Sequence, residues 1–216
     1  AENAGDAPHM RLFPESAFDE AAFLARTEEC VKKHGYCAVV VSEGVRNKDG
    51  KFLADAGTRD AFGHAQLGGV GPVVAQLVKD KLGYKYHWAV ADYLQRAARH
   101  IASKVDVEQA YAVGKAAVEF ALKGHHAVMP TIVRTSNRPY RWKIGMASLD
   151  MVANVEKMLP RDYITPDGLH ITAKGRKYLA PLIQGEDYPP YEGGLPKYVV
   201  LKNKAVKKKL KNAFVV

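Results

Sequence analysis

Cysteine is scarce in this 216-residue chain: Cys30 and Cys37 are the only two, seven positions apart. Two thiols cannot supply the several cross-links on which small secreted folds depend, so the pair reads as two small buried hydrophobes in a reducing cytoplasm. Long apolar runs are missing too. No stretch approaches the roughly 20 residues needed to span a bilayer, so no membrane partner is expected. The opening AENAGDAPHM has no basic segment running into an apolar core, so it is not expected to be a secretory signal. The chain also starts at Ala1 rather than at methionine, as a processed or truncated polypeptide would.

Several catalytic signatures are absent. There is no GxxxxGK followed by Ser or Thr, no GxGxxG closing a strand and no nucleophile elbow. His64 has no set of Cys, Asp or His around it at metal-ligand spacing, so no metal site is expected there. Acids are outnumbered, 23 against 32 Lys and Arg, for a net charge of +9. Much of the surplus sits in KNKAVKKKLKN (202–212), with six lysines and no acid. Such a tail can touch nucleic acid or acidic lipid, but a solvated terminal helix is the plainer expectation. Without it the excess is mild, as in an enzyme for anionic metabolites.

Apolar residues make up 47% of the chain and charged ones 25%, the balance of a globular protein of one large or two small domains. HMRLFPE (9–15) reads as a short strand. SAFDEAAFLARTEECVKKHG follows as a helix with a cap at Ser16, acids early, bases late and Gly35 as its stop. YCAVVVSEG is a continuous apolar strand of the kind buried in a parallel sheet, which completes a βαβ unit. Residues 45–71 read as a long glycine-bearing loop, 72–83 as a helix, YKYHWAVA (84–91) as a strand and ADYLQRAARH (91–100) as the opening of a helix. A strong amphipathic helix spans 106–124, capped by Asp106 and stopped by Gly124, and a strand follows at 125–134. Another helix is expected near 147–158. The fold class is α/β, a mostly parallel sheet flanked by helices, with 1–134 as an α/β region and 135–216 as a helical and irregular extension ending in the basic tail.

Ligands in open α/β sheets collect at the carboxyl ends of strands. Glu43 stands at such an end, followed by glycine, where a carboxylate can accept hydrogen bonds from sugar hydroxyls or pair with a lysine. Tyr93 and Arg96 follow the next strand at i, i+3: the guanidinium offers a fixed fork for phosphate and the phenol a second donor. Lys85 and His87 alternate onto one strand face and add cationic reach. A surface role for Arg96 stays open on spacing alone. FGHAQLGGVG (62–71) is a third glycine-rich candidate, with His64 as a base or ligand.

LFPE, VVVSEGV, DAFGHAQLGGVG, DYLQRAARH, AYAVGKAAVEFALKG, AVMPTIVR and LAPLIQGEDYPPYEGGLP, taken together and in this order, resemble the phosphofructokinases, most of all their bacterial pyrophosphate-dependent branch. The resemblance implies a three-layer α/β/α fold. It also implies phosphoryl transfer to the 1-hydroxyl of fructose 6-phosphate, giving fructose 1,6-bisphosphate, with Mg²⁺ bridging the donor. Glu43 matches the strand-end glutamate that binds the sugar. Tyr93 and Arg96 match the Tyr-x-x-Arg that holds the 6-phosphate, and Lys85 or His87 stands for an additional phosphate-binding cation. GHAQLGG mimics the Gly-His-x-Gln-Arg-Gly-Gly of the ATP-using enzymes, but Leu67 replaces its arginine. The family's Gly-Gly-Asp donor loop, Thr-Ile-Asp catalytic segment and Met-Gly-Arg clamp are missing. The expectation is therefore a C-terminal half that binds sugar phosphate, carries no catalytic residue or metal ligand of its own, and works with the absent N-terminal half in a cytoplasmic homo-oligomer using pyrophosphate. A non-catalytic regulatory subunit of the same fold is the second reading. A nucleic-acid-binding protein using Lys202–Lys211 with Arg96, Arg99 and His100 is the third, and it lacks the interleaved aromatics of such a module.

Overall fold

Met10 and Leu12 turn inward on either side of Arg11 and make the short strand β1 (Met10–Leu12), whose two apolar residues are buried. The computed structural model describes residues 6–59, 65–67 and 69–207, with side chains at all but positions 56–59, 65–67, 95 and 96. Helix α1 (Glu20–His34) follows β1 and buries Phe23, Thr27 and Cys30. Its cap is Asp19, which accepts from the Ala22 N–H at 3.0 Å, and not the expected Ser16. The reason lies in the preceding turn: the Phe18 N–H donates to the Arg46 carbonyl at 2.8 Å, which holds residues 16–18 out of the helix. Gly35 closes α1 in the left-handed region at φ 79°, and Lys32, Lys33 and His34 face the negative end of the helix dipole.

Strand β2 (Val39–Val41) returns parallel to β1, with Met10 opposite Val39 and Leu12 opposite Val41, so the βαβ unit forms as expected. Helix α2 (Val70–Leu82), ended by Gly83 at φ 69°, turns Val70 and Val74 into the same core. That core joins Met10, Leu12, Phe23, Val45 and Ala54, with Phe18, Leu77 and Leu169 packed on it. Leu169 comes from far along the chain, and the Arg11 N–H donates to its carbonyl at 2.8 Å.

The remaining sheet differs from expectation. β1–β2 is the one parallel pair among the described strands; the others are antiparallel pairs, so a mostly parallel sheet in three layers does not appear. Within the expected loop, β3 (Asp55–Arg59) and β4 (Ala65–Leu67) pair as antiparallel strands. YKYHWAVA takes no strand: residues 83–91 have no regular structure, and Trp88 and Val90 lie exposed. Its aromatic, β-prone composition favours a pleated surface, but a strand also needs a ladder partner, and this segment has none among the described residues.

Beyond this segment come α3 (Leu94–Ala97), a 3-10 turn (Arg99–Ile101) and α4 (Lys104–Leu122). Ser103 caps α4, accepting from the Asp106 N–H at 3.2 Å, so Asp106 sits in the first turn and is not the cap. β5 (Val128–Asn137) then doubles back into β6 (Tyr140–Ser148) as a long antiparallel hairpin. Pro130 is tolerated there because β5 pairs on one edge only. The helix expected at 147–158 is replaced by the end of β6 and a 3-10 turn at Leu149–Met151. An unanticipated helix, α5 (Ala173–Leu179), starts on Thr172, whose hydroxyl accepts from the Gly175 N–H at 3.2 Å. It runs on into a 3-10 turn, Ala180–Ile183, and the minimal pair β7 (Tyr191–Glu192) and β8 (Leu195–Pro196) follows. Residues 202–207 of the expected terminal helix are neither helix nor strand, and 208–216 lie outside the described residues.

Candidate functional site

Glu43 is carried by a tight turn directly after β2. The Ser42 N–H donates to the Leu12 carbonyl at 3.1 Å, and the Val45 N–H returns to the Ser42 carbonyl at 3.2 Å. The turn fixes Glu43 at the carboxyl end of β2, with its side chain exposed. Gly44 passes close to Pro14: a Cβ on it would lie 3.3 Å from Pro14 Cβ, a tight contact.

Tyr93 is the N-terminal flanking residue of α3 and is 68% exposed. The Leu94 N–H donates to Ala91 O at 2.8 Å and the Ala97 N–H to Tyr93 O at 3.0 Å, which closes a single turn around Tyr93–Arg96. Asp92 enters that turn in the left-handed region, at φ 43°. The two candidate residues are thus brought onto one turn at i, i+3, while the side chain of Arg96 lies outside the described residues. Lys85 and His87 are exposed on the irregular 83–91 segment, so the strand alternation that grouped them is not formed. Glu43 sits on a separate turn from all of these. Phe62, Gly63, His64 and Gly68 of the glycine-rich candidate lie outside the described residues.

Among the described residues, Glu43, Lys85, His87 and Tyr93 do not line the cavity of about 500 Å³ between the start of α1, the 47–49 turn and α2, which is walled by Phe18, Asp19, Lys48, Leu53, Val73 and Leu77. Among the described residues no group of three or more His, Cys, Asp or Glu is placed to hold a metal ion.

Two features went unread in the sequence. One is a titratable cluster on the 165–170 turn, beside β1. Arg11 Nη1 lies 3.4 Å from His170 Nδ1, and the Leu169 N–H donates to Asp167 Oδ1 at 3.1 Å. Burial pushes the His170 imidazole below its usual range, with the charges of Arg11 and Arg26 acting in the same sense and Asp167 opposing them. Burial pushes Asp167 up, but hydrogen bonds from Thr165 and Leu169 outweigh it and hold the carboxyl below its usual range. The other is an ion pair between Arg99 and Asp187, 88 positions apart. Distance in sequence hid both. The DG turn at 167–168 was the one local signal for the cluster, and nothing local marked Arg99.

No family model matches the chain. It is 67% identical over 205 residues to the pyrophosphate–fructose 6-phosphate 1-phosphotransferase of Methylococcus capsulatus, a match taking in 95% of this chain and 49% of that relative. It is 63% identical over 206 residues to the enzyme of the same name from Halomonas elongata, again covering 95% and 49%. The crystal structure of the pyrophosphate-dependent phosphofructokinase of Nitrosospira multiformis superposes with a TM-score of 0.77 at 64% identity, over 94% of this chain and 47% of that one. That of Marinobacter aquaeolei gives 0.81 at 52% identity, over 100% and 50%. The fold is thus phosphofructokinase-like, although its described strands stand in small separate pairs. The chain spans about half the length of the curated relatives it matches. Over that half-length it is a homologue of the pyrophosphate-dependent phosphofructokinases.

Proposed function

We propose that this chain is the sugar-phosphate-binding, C-terminal part of a pyrophosphate-dependent 6-phosphofructokinase, the glycolytic phosphotransferase that converts diphosphate and fructose 6-phosphate to phosphate and fructose 1,6-bisphosphate. The observation that carries the reading is 67% identity across 95% of the chain to a relative of which it covers 49%. The missing donor loop, catalytic segment and substrate clamp support the further point that this part does not catalyse alone.

In this reading the Arg96 guanidinium forks onto the 6-phosphate and the Tyr93 phenol donates a further hydrogen bond. Glu43 accepts from sugar hydroxyls at the end of β2, and Lys85 adds positive charge near the phosphate. These groups bind and orient the acceptor. Phosphoryl transfer also needs the donor placed in line, its charge neutralised, and a carboxylate to take the hydroxyl proton. Those groups, and the residues for Mg²⁺, belong to the N-terminal half, which joins this part in a cytoplasmic homo-oligomer.

Apolar side chains standing in the open support a missing partner surface. Tyr111 and Leu122 on α4 are 75% and 83% exposed, and Met151 beyond β6 is 75% exposed. The test is a turnover assay of the 216-residue chain with fructose 6-phosphate, Mg²⁺ and pyrophosphate. No turnover alone, and turnover on adding a donor-site half, is the expected result; robust turnover by the chain alone overturns the reading.

A further inference from the structure

The turn that carries Tyr93 and Arg96 is too short to hold itself in place. α3 has four residues, and a first helical turn fixes several dihedrals for one hydrogen bond, so its position depends on neighbouring contacts. On its upstream side lies the irregular 83–91 segment. Downstream, three residues after Arg96, the chain is clamped. Arg99 Nη1 donates to the backbone carbonyl of Asp187 and Arg99 Nη2 to its carboxylate, so one guanidinium grips one residue twice. Both side chains are about one-third exposed, at 34% and 33%, so the pair is sheltered from solvent more than an ordinary surface ion pair.

The clamp is continued beyond Arg99. Ser103 Oγ donates to Leu182 O at 2.8 Å, the Lys104 N–H to Gly185 O at 3.1 Å and the Val105 N–H to Gln184 O at 3.3 Å. Gly185 makes this approach possible: its φ is +73°, and a Cβ on it would lie 2.8 Å from Lys104 Cβ. The 182–187 segment is therefore shaped to lie along residues 99–105. Ala98, with ψ 51°, breaks α3 from the 3-10 turn, and Arg99 is the first side chain past the break.

We propose that Arg99 and Asp187 are a positioning pair: they fix where the Tyr93–Arg96 turn presents its phosphate fork, without touching the sugar phosphate themselves. This rests on the reading above, in which Arg96 binds the 6-phosphate. A fork displaced by an ångström loses binding common to ground and transition states, so the effect falls on KM and not on kcat.

The experiment is steady-state kinetics of the active assembly containing this chain, comparing Arg96→Ala, Arg99→Ala, Arg99→Lys and Asp187→Ala. Arg99→Ala is expected to raise KM for fructose 6-phosphate about tenfold, with kcat within about twofold and KM for pyrophosphate unchanged. Asp187→Ala, which leaves the backbone acceptor in place, is expected to raise it less, and Arg99→Lys to recover part of the loss. The double variant is expected to be no worse than Arg99→Ala. Simple misfolding lowers the active fraction and leaves KM alone, so a fall in apparent kcat with normal KM overturns the proposal. A normal KM in Arg99→Ala beside a raised one in Arg96→Ala overturns the positioning role only. A normal KM in Arg96→Ala removes the phosphate site itself, and the positioning role with it.

Discussion

Gln109 Nε2 donates a 2.6 Å hydrogen bond to Tyr140 Oη, joining the buried side of α4 to the first residue of β6. Gln109 is 6% exposed, so its amide has no water to fall back on. Tyr140→Phe is therefore expected to cost about 1–3 kcal/mol, the penalty of a buried donor left without an acceptor. Adding Gln109→Leu should restore part of that loss, because the orphaned group leaves as well. Urea denaturation of the two single variants and the double variant reads both numbers.

Gly175 tests packing in the opposite sense. Alanine in a helix interior normally gains stability over glycine, by up to about 1 kcal/mol. Here a Cβ would fall 2.5 Å from Ile171 Cγ2 and 3.1 Å from the Tyr163 carbonyl, so overpacking wins. Gly175→Ala is expected to destabilise by about 1–3 kcal/mol, seen as a lower Tm.

His170 gives the chain an acid sensitivity. Its folded-state pKa is lowered from the ordinary 6.5, first by burial, so the unfolded chain takes up the proton before the folded one does. The stability contribution is whole above pH 6.5 and is lost as pH falls through the folded-state pKa. His170→Gln should flatten the urea midpoint between pH 7 and about 5 relative to wild type.

Cys37 should be slow to react. Burial, with Cys30 beside it, pushes the Cys37 thiol up to about 12 from an ordinary 9.0. Its thiolate at neutral pH is then scarcer by a factor of roughly a thousand. Iodoacetamide is expected to label native Cys37 at least a hundredfold more slowly than the urea-unfolded chain, a ratio that mass spectrometry reads directly.

Arg96→Ala, in the assembly that turns over, is expected to raise KM for fructose 6-phosphate by the equivalent of roughly 2 to 4 kcal/mol with kcat largely kept. An unchanged KM takes Arg96 out of the site.

Elements with both a period and a stop were legible in the sequence. α1, α2 and α4 announce themselves by apolar spacing and by Gly35, Gly83 and Gly124. The β1–α1–β2 unit followed from two apolar strands around a well-marked helix. Pairing was not legible: β5 is as apolar as a parallel strand, but its partner is β6, and nothing in the composition of β5 chooses between them. Cap choice was ambiguous for a similar reason. Ser16 and Asp19 are both good caps, and the Phe18–Arg46 hydrogen bond, 28 positions in span, decided for Asp19. At the site, the one-turn spacing of Tyr93 and Arg96 could be read locally, whereas the grip of Arg99 on Asp187 spans 88 positions.

The β1–β2 pair has one protected flank and one bare flank. Beyond β1, the Leu169 carbonyl takes the Arg11 N–H, which blunts that side. Beyond β2, three successive valines, 39–41, present their outer hydrogen-bonding groups with no partner strand among the described residues, and Val40 is 57% exposed. A short, uncharged, β-branched edge of this kind is a template for strand addition. The same residues that close the core from within therefore make the chain prone to aggregate when it is purified alone. Val40→Lys should keep it in solution at concentrations where the wild type scatters light.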